Sequence, residues 1–485
     1  MKRKEIYMRC TGLLLFLACV SLALPGGVQA REKAEKASSK QPPVSGSSSV
    51  VTLRDTINAT LRNHNALKVI QENREVVIHE LDRAKAGYGP RVDVDGRLGI
   101  SQLSTSTTRS QKADYGFYGA GGIGVTLVQP LWDGWATRSR VRTAEATVDS
   151  MTHRVFDNAT TLALDSIIAH IDLLRRRKIL QLAEDNVRRH REILASSRDR
   201  ESMGADTMAD VSQTEGRLSR ALATLAEAKA SLLEGETAYR RLTGLPVPLN
   251  LEPVELPVPM YDGTAAVLNV AEKHNPKVAA YIADVRAAIG DKELAKSAFH
   301  PVINLEAGPN YTDRGGPYGP GGHNENWTSS VEVMGTLRWN IFNSGADVAE
   351  VRAASARIRQ ARQTLYSFMD DLTQEVENSW TGYQSAIEQR ANYLDAIQYN
   401  TRTRDAYTEQ FYLGQRSLLD VLDAENELFN SSTQAATAQG NILVLAYRMY
   451  GLAGVLLPHL HVDTTDLYKA PKPGHNDDKP IMDFR

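Results

Sequence analysis

The spacing of apolar and polar residues changes period along this chain, and the whole sequence of changes then occurs a second time. In Val92-Asp93-Val94-Asp95-Gly96-Arg97-Leu98-Gly99-Ile100, apolar residues alternate with charged residues or glycine, which predicts a strand with one apolar and one polar face. A polar loop, Ser101 to Tyr115, leads to a second strand, Gly119 to Trp132, with Ile123, Val125, Leu127 and Leu131 on one face. The pattern returns in Val302 to Tyr311, where Ile303, Leu305 and Ala307 are apolar, and in Ser329 to Phe342, with the Gly/Pro/Asn loop Thr312 to Asn326 between them. In the last strand Val331, Val333, Leu337, Trp339 and Ile341 face one way, and Glu332, Met334, Thr336, Arg338 and Asn340 the other. Strands of about ten residues with alternating faces, joined by long polar loops, fit transmembrane β-hairpins.

Each strand pair is flanked by helical segments. Thr52 to Asn63, with Thr52 as cap, and Asn65 to Ala86 precede the first pair, and Gly87-Tyr88-Gly89-Pro90 ends the second helix. After Asp133-Gly134 a helix runs from Ala136 to Met203 without a proline, about 100 Å at ~1.5 Å per residue. It turns at Gly204 and returns from Thr207 to Leu242, where Thr243-Gly244-Leu245-Pro246 stops it. Pro246 to Pro259 reads as an extended connector. Asn275-Pro276 opens a helix to Ala298, Phe299-His300-Pro301 mirrors Tyr88-Gly89-Pro90, and Asn343-Ser344-Gly345 mirrors Asp133-Gly134. A second long helix, Ala346 to Leu413, turns at Gly414 and returns from Ser417 to Tyr450. Helices of this length belong in coiled coils or helical barrels.

The two halves align at a constant offset of 210 residues, with 204 on 414, 210 on 420 and 215 on 425. The expected layout is residues 51–245 (β-hairpin 91–132, helical hairpin 136–243), connector 246–263, and residues 264–457 (β-hairpin 302–342, helical hairpin 346–450). A polar tail, 458–485, follows. The halves differ at the second turn. In Tyr412 to Leu428, one helical face carries Leu418, Val421, Leu422, Leu428 and Phe429, and the other Asp420, Asp423 and Glu427. The first half has Asp210, Gln213 and Arg217 at the latter positions, so only the second copy is acidic there.

Composition narrows the class. A net charge of −2 over 485 residues implies no polyanionic partner, hence no nucleic acid. Lys2, Arg3 and Lys4, the apolar run Leu13 to Leu24 and Val28-Gln29-Ala30 predict an export signal over 1–30, with a Lys/Glu- and Pro/Ser-rich linker over 31–50. Cys10 and Cys19 both lie in that signal, so the exported chain has no thiol chemistry, and Phe16-Leu17-Ala18 is a poor setting for lipidation of Cys19. No later segment approaches the ~20 apolar residues of a membrane helix, so any crossing of a membrane falls to the strands. No nucleophile–base or phosphate-loop pattern predicts catalysis, and no cofactor is expected. The histidines lack ligand spacing, His459 and His461 in the tail included. Trp132, Trp135, Trp327 and Trp339, near strand ends, fit an interfacial girdle, with ordinary packing as the alternative. Glu215 and Glu425, inside the apolar stripes of the return helices, call for an arginine or backbone partner.

The duplicated plan, together with Leu413-Gly414-Gln415-Arg416-Ser417-Leu418-Leu419-Asp420-Val421-Leu422-Asp423, resembles the TolC family of outer-membrane channels over about Val51 to Leu457. The resemblance implies a mainly α homotrimer: a periplasmic α-barrel of coiled-coil hairpins below a twelve-stranded β-barrel set in outer-membrane lipid. It also implies a periplasmic adaptor and an inner-membrane ABC or proton-driven transporter as partners, and proteins or small toxic molecules as cargo. Four strands cannot close a barrel, whereas three copies make an even-numbered one of twelve. By resemblance, Tyr412 and Arg416 latch the tip together with Asp210, Asp420 and Asp423 form acidic rings in the entrance, and Gly204 and Gly414 make the hairpin turns. Ala209 departs from the family, where a side-chain hydroxyl can precede the aspartate. The run Gln415 to Asp420 followed by Ala424 to Leu428 is closer to type I secretion members than to drug-efflux members. The rival reading is a periplasmic coiled-coil adaptor or scaffold that is not a channel; such a protein has no need of lipid-facing hairpins.

Overall fold

A computed structural model describes residues 50–468, apart from parts of 103–116 and from 205–206 and 314–326. The expected signal 1–30, the linker up to residue 49, most of both polar loops and the tail beyond 468 lie outside the described residues. The first repeat comprises α1 (Leu53–Asn63), α2 (Asn65–Ala86), β1 (Arg91–Ser101), β2 (Tyr118–Trp132), α3 (Ala136–Ser202) and α4 (Met208–Thr243). The second comprises α5 (Thr264–His274), α6 (Pro276–Lys296), β3 (Val302–Asp313), β4 (Trp327–Arg338), α7 (Ala346–Tyr412) and α8 (Leu418–Leu452). A short helix α9 (Leu456–His459) and a turn of 3-10 helix, Thr465–Tyr468, complete the described chain. The long helices α3 and α7 have 67 residues each, about 100 Å.

The strands form one antiparallel sheet in the order β1-β2-β3-β4. The register separates two faces. Val92, Val94, Leu98 and Ile100 lie opposite Leu127, Val125, Gly121 and Gly119, while Asp93, Asp95 and Arg97 lie opposite Thr126, Gly124 and Gly122. Across β3 and β4, Leu305 and Ala307 face Gly335 and Val333, whereas Glu306 faces Met334. The apolar face is bare: Leu98 is 94% exposed, Ile100 75% and Val331 76%. A continuous apolar sheet face of this kind is stable only against lipid or another apolar surface. Twelve-residue strands are about 40 Å long; tilted by ~45°, they span about 28 Å, the height of a bilayer core. Aromatic residues cap both ends. Trp132 and Trp135 meet edge to face at 4.7 Å by the helices, and Tyr311 and Trp327 stack at 6.1 Å by the loops. No described helix is long and apolar enough to cross a membrane.

Two expectations are corrected, for β4 and for the tail, and one helix is added. β4 stops at Arg338 and does not continue to Phe342. Arg338 pairs with Val302, the first residue of β3, and Pro301 before it has no N–H, so Trp339 to Phe342 have no partner strand. Trp339 instead donates its Nε1–H to the Phe299 carbonyl at 3.1 Å. The helix α5 precedes Asn275 and is the counterpart of α1; both have 11 residues. The tail is not polar and free from Pro458 onward. Leu456, Leu457, Val462 and Leu467 are buried in the main core, and Tyr468 meets Phe156 at 4.9 Å.

Packing runs laterally. Toward the sheet the order is α2–α3–α6–α7, and toward the helical turns α4–α3–α8–α7. Where the return helices end, each repeat uses an asparagine to satisfy a terminal carbonyl. Asn63 Nδ2 donates to Thr243 O and Asn275 Nδ2 to Leu452 O, each at 2.8 Å. Gly454 follows in the left-handed region (φ +76°), and a Cβ there would stand 2.4 Å from the His274 carbonyl. The main core lies at this level, formed by Ile57, Leu67, Val155, Ile167 and Tyr447 among others. The connector wraps it as an extended belt. Leu251 is buried beside Leu173 and Tyr239, and Tyr447 donates to the Glu255 carbonyl at 3.0 Å.

Inside this belt sits a polar chain. His170 is fully buried; its Nδ1 lies 3.0 Å from Thr56 Oγ1 and its Nε2 3.0 Å from the Glu252 carbonyl, while Thr56 Oγ1 lies 3.0 Å from the Tyr239 hydroxyl. Burial pushes the His170 pKa below its usual value, against the Glu252 carbonyl, which favours the proton. The ring is therefore neutral in the fold, and the unfolded chain takes up the extra proton first. Stability should fall as pH drops below about 6.5, where unfolded histidine protonates, and level off below the folded pKa. His170→Gln, whose amide can still bridge Thr56 and Glu252, should lose that slope. Thermal unfolding of both proteins between about pH 7.5 and about pH 5.5, one unit either side of the unfolded histidine value, checks it; parallel curves would show that His170 is not the titrating group.

Candidate functional site

The two helical hairpins end in different turns. At the end of α7, the Gly414 and Gln415 N–H groups donate to the Phe411 and Gln410 carbonyls at 3.0 and 2.9 Å, a closure that needs the left-handed residue Gly414 (φ +71°). Ser417 then caps α8 by accepting from Leu419 N at 3.1 Å. At the other tip Gly204 also has positive φ, and α4 begins with a reciprocal cap. Asp210 N donates to Thr207 Oγ1 at 3.3 Å, and Thr207 N donates to Asp210 Oδ2 at 3.0 Å. The Thr207 hydroxyl, and then its N–H, hold the Asp210 carboxyl below the usual carboxylate range.

The sequence-predicted residues fall into two groups. Tyr412 is exposed beside Phe411, with ring centroids 5.9 Å apart. Arg416 folds back over the Tyr407 ring at 4.1 Å, donates to Gln410 Oε1 at 3.3 Å and lies 3.6 Å from Asp420. No contact among the described residues joins Asp210 to Tyr412 or Arg416. The lateral order explains this: α4 carries Asp210 on one outer edge of the protomer, and α7 carries Tyr412 on the other. Asp420, Asp423 and Glu427 line, with Asn400, Thr403, Tyr407 and Ala424, a cleft of about 210 Å³.

Beneath that face, Phe411, Leu418, Val421 and Leu422 make a small core, into which Ile193 of α3 and Tyr407 pack. This is where the two hairpins of one protomer touch. The Arg200 guanidinium sits 4.5 Å from the Phe411 ring centre, and Arg217 donates to Asp423 at 2.7 Å. Arg200, Arg217 and Tyr407 are not read as site residues from sequence alone. The signal that could have found Arg217 is its place in the repeat, where it stands opposite Glu427 with reversed charge. Glu215 and Glu425 have the arginine partners expected of them, Arg198 at 2.6 Å and Arg404 at 3.4 Å, from different levels of the adjoining helices. Among the described residues no group of three or more His, Cys, Asp or Glu could hold a metal ion.

An amphipathic four-stranded sheet, continued by helical hairpins about 100 Å long that end in charged turns, defines a protomer of a membrane channel-tunnel. Residues 56–245 and 267–455, the two repeats, match the family described as outer membrane efflux protein. The chain belongs to that family and is an outer-membrane channel protein, not an enzyme, with its helical part in the periplasm. The outer membrane efflux protein BepC of Brucella suis is 27% identical over 399 residues, 82% of each chain. The alkaline protease secretion protein AprF of Pseudomonas aeruginosa is 23% identical over 364 residues, 74% of each. The outer membrane protein TolC of Escherichia coli is 22% identical over 307 residues, 61% of this chain and 62% of TolC. A crystal structure of CusC has the same fold, with a TM-score of 0.70 at 17% identity, covering 84% of this chain and 91% of that one. The family match decides against the adaptor or scaffold reading.

The Arg404–Glu425 pair is largely buried, with side-chain exposures of 15% and 9%. Removing only the cation should leave a buried carboxylate unpaired. Arg404→Ala is expected to destabilise the hairpin by roughly 3 kcal/mol, and Arg404→Met with Glu425→Leu by much less. Chemical denaturation of the two variants checks this, and equal losses would mean that the charge pairing contributes nothing particular.

Proposed function

We propose that three copies of this chain close into a twelve-stranded barrel with a continuous helical tunnel, and that the trimer is the exit duct of a pump assembly spanning both membranes. The open sheet carries this reading. β1 and β4 each leave one edge of N–H and C=O groups without a strand partner, which lipid does not tolerate. Pairing β4 of one copy with β1 of the next satisfies both edges. The same arrangement brings α7 of one copy beside α4 of the next, so Tyr412 and Arg416 meet Asp210 across the subunit boundary. In this reading the latch joins neighbours, which accords with its absence inside one protomer. The strand ends that carry the expected loops Ser101 to Tyr115 and Thr312 to Asn326 then face the cell exterior, and the Gly204 and Gly414 turns face the periplasm.

The partners in this reading are a periplasmic adaptor and an inner-membrane transporter. Type I protein secretion is favoured by the tip sequence Gln415 to Asp420 and by the likeness to AprF. Small-molecule efflux is the second reading, favoured by the likeness to BepC. Crosslinking the duct in cells and identifying the copurified transporter separates them, an ABC transporter supporting secretion and a proton-driven pump supporting efflux.

The protein should be extracted from the outer-membrane fraction by detergent as a trimer. A soluble periplasmic monomer, with no trimer in detergent, would defeat the duct reading.

The proposed latch is a set of charge-assisted contacts, each contributing roughly 1.5–3 kcal/mol and less where water reaches it. Three copies bias a closed state without holding the fold together, because the helices pack along their length. Tyr412→Phe combined with Arg416→Ser should raise single-channel conductance in planar bilayers while the melting temperature of the trimer stays the same. Wild-type conductance in that variant would place the gate elsewhere.

A further inference from the structure

We infer that Arg217 sets the charge of the periplasmic entrance and couples that charge to opening. The inference rests on the duct reading above, in which Asp420 and Asp423 line the throat. Three carboxylates, Asp420, Asp423 and Glu427, share one face of α8 and one cleft. Unpaired, they would make the throat strongly acidic. They are not all unpaired. Asp420 lies 3.6 Å from Arg416, and Asp423 accepts from Arg217 at 2.7 Å. Glu427 has no ion-pair partner among the described residues. Among these five side chains of one protomer, two guanidinium groups stand against three carboxylates, and Asp423 is the carboxylate that Arg217 neutralises.

The two pairs differ in what they connect. Arg416 and Asp420 are four residues apart on one hairpin, so their proximity survives any movement of that hairpin as a body. Arg217 belongs to α4 of the first hairpin and Asp423 to α8 of the second. This pair cannot survive their separation. Its guanidinium is the better shielded member, with 23% of the Arg217 side chain exposed against 54% for Asp423. Ile193 and the Arg200–Phe411 contact lie at the same junction. Parting the hairpins therefore uncovers one carboxylate per protomer, and the closed entrance is less attractive to cations than the open one. The repeat shows how this arose. Arg217 occupies the position in the first half that Glu427 occupies in the second, and Asp423 stands where the first half has Gln213, so both members of the pair are places where the halves diverged.

Two single variants of the full-length trimer separate the roles. Arg217→Gln and Asp423→Asn both break the pair, so both should increase the open fraction in planar bilayers. Under a potassium chloride gradient they should move selectivity in opposite directions. Arg217→Gln should raise the K⁺/Cl⁻ permeability ratio by at least about twofold and Asp423→Asn should lower it. The Arg217→Asp, Asp423→Arg exchange should restore the closed fraction. A shift of the ratio in the same direction for both single variants, or none for Arg217→Gln, would overturn the proposal. A readout that needs no conduction keeps it distinct from the duct reading: both single variants should speed amide hydrogen exchange at residues 193–200 and 411–423. Unchanged exchange in both would refute the pairing even in a working channel, whereas a wild-type trimer that does not conduct would count against the duct.

Discussion

Everything in this protein depends on a sheet that cannot stand alone. Its four strands present a bare apolar face, and β1 and β4 each leave a row of backbone groups unpaired. In lipid the first is satisfied at once and the second only by other strands, because no water is available to the edge. The proposed trimeric closure answers that constraint, and the helices inherit its geometry. Each strand pair is clamped between short helices on one side and a long hairpin on the other, so the ring that closes the sheet would also set the spacing of the tunnel wall. The unpartnered flanks of α4 and α7 lie where such a ring needs contact surface.

Duplication builds the wall, and divergence builds the function. The halves share their scaffolding devices: equal long helices, positive-φ glycines at the turns, and the asparagines that tie Thr243 and Leu452. They differ at the tip. The first hairpin contributes a capped helix start whose carboxylate is occupied by Thr207, and the second contributes an aromatic and an acidic face. A symmetric tip would offer like charges to like charges. The asymmetric one pairs Arg217 with Asp423 and places Arg200 on Phe411. Both contacts are modest and partly exposed, as suits the opening junction proposed above rather than a core that holds.

Much of this was legible in the sequence because it is local. Period-2 alternation gave the two sheet faces, and the register of β1 against β2 keeps Val92, Val94 and Leu98 together as expected. Proline-free stretches, caps and glycines placed the long helices to within a residue or two. The apolar stripe Leu418, Val421 and Leu422 is the buried one at the tip, and Glu425 has an arginine. What failed did so because it turns on tertiary partners that a local pattern does not carry. Trp339 to Ile341 keep the alternation of a strand but have no partner to pair with, and the segment after Pro458 looks polar until Val462 and Leu467 meet the core.

By itself, the sequence determined the elements, their repetition, the two faces of the sheet and the acidic face of the second tip, since each follows from periodicity within one segment. Only the tertiary structure decided which charges at that tip stand alone. Whether a carboxylate at that tip is bare or neutralised depends on a side chain more than two hundred residues away, delivered by the lateral order of four helices. No pattern inside α8 encodes that Arg217 arrives from α4. Long-range pairing is a property of packing, and packing is where the balance of charge at this tip is made.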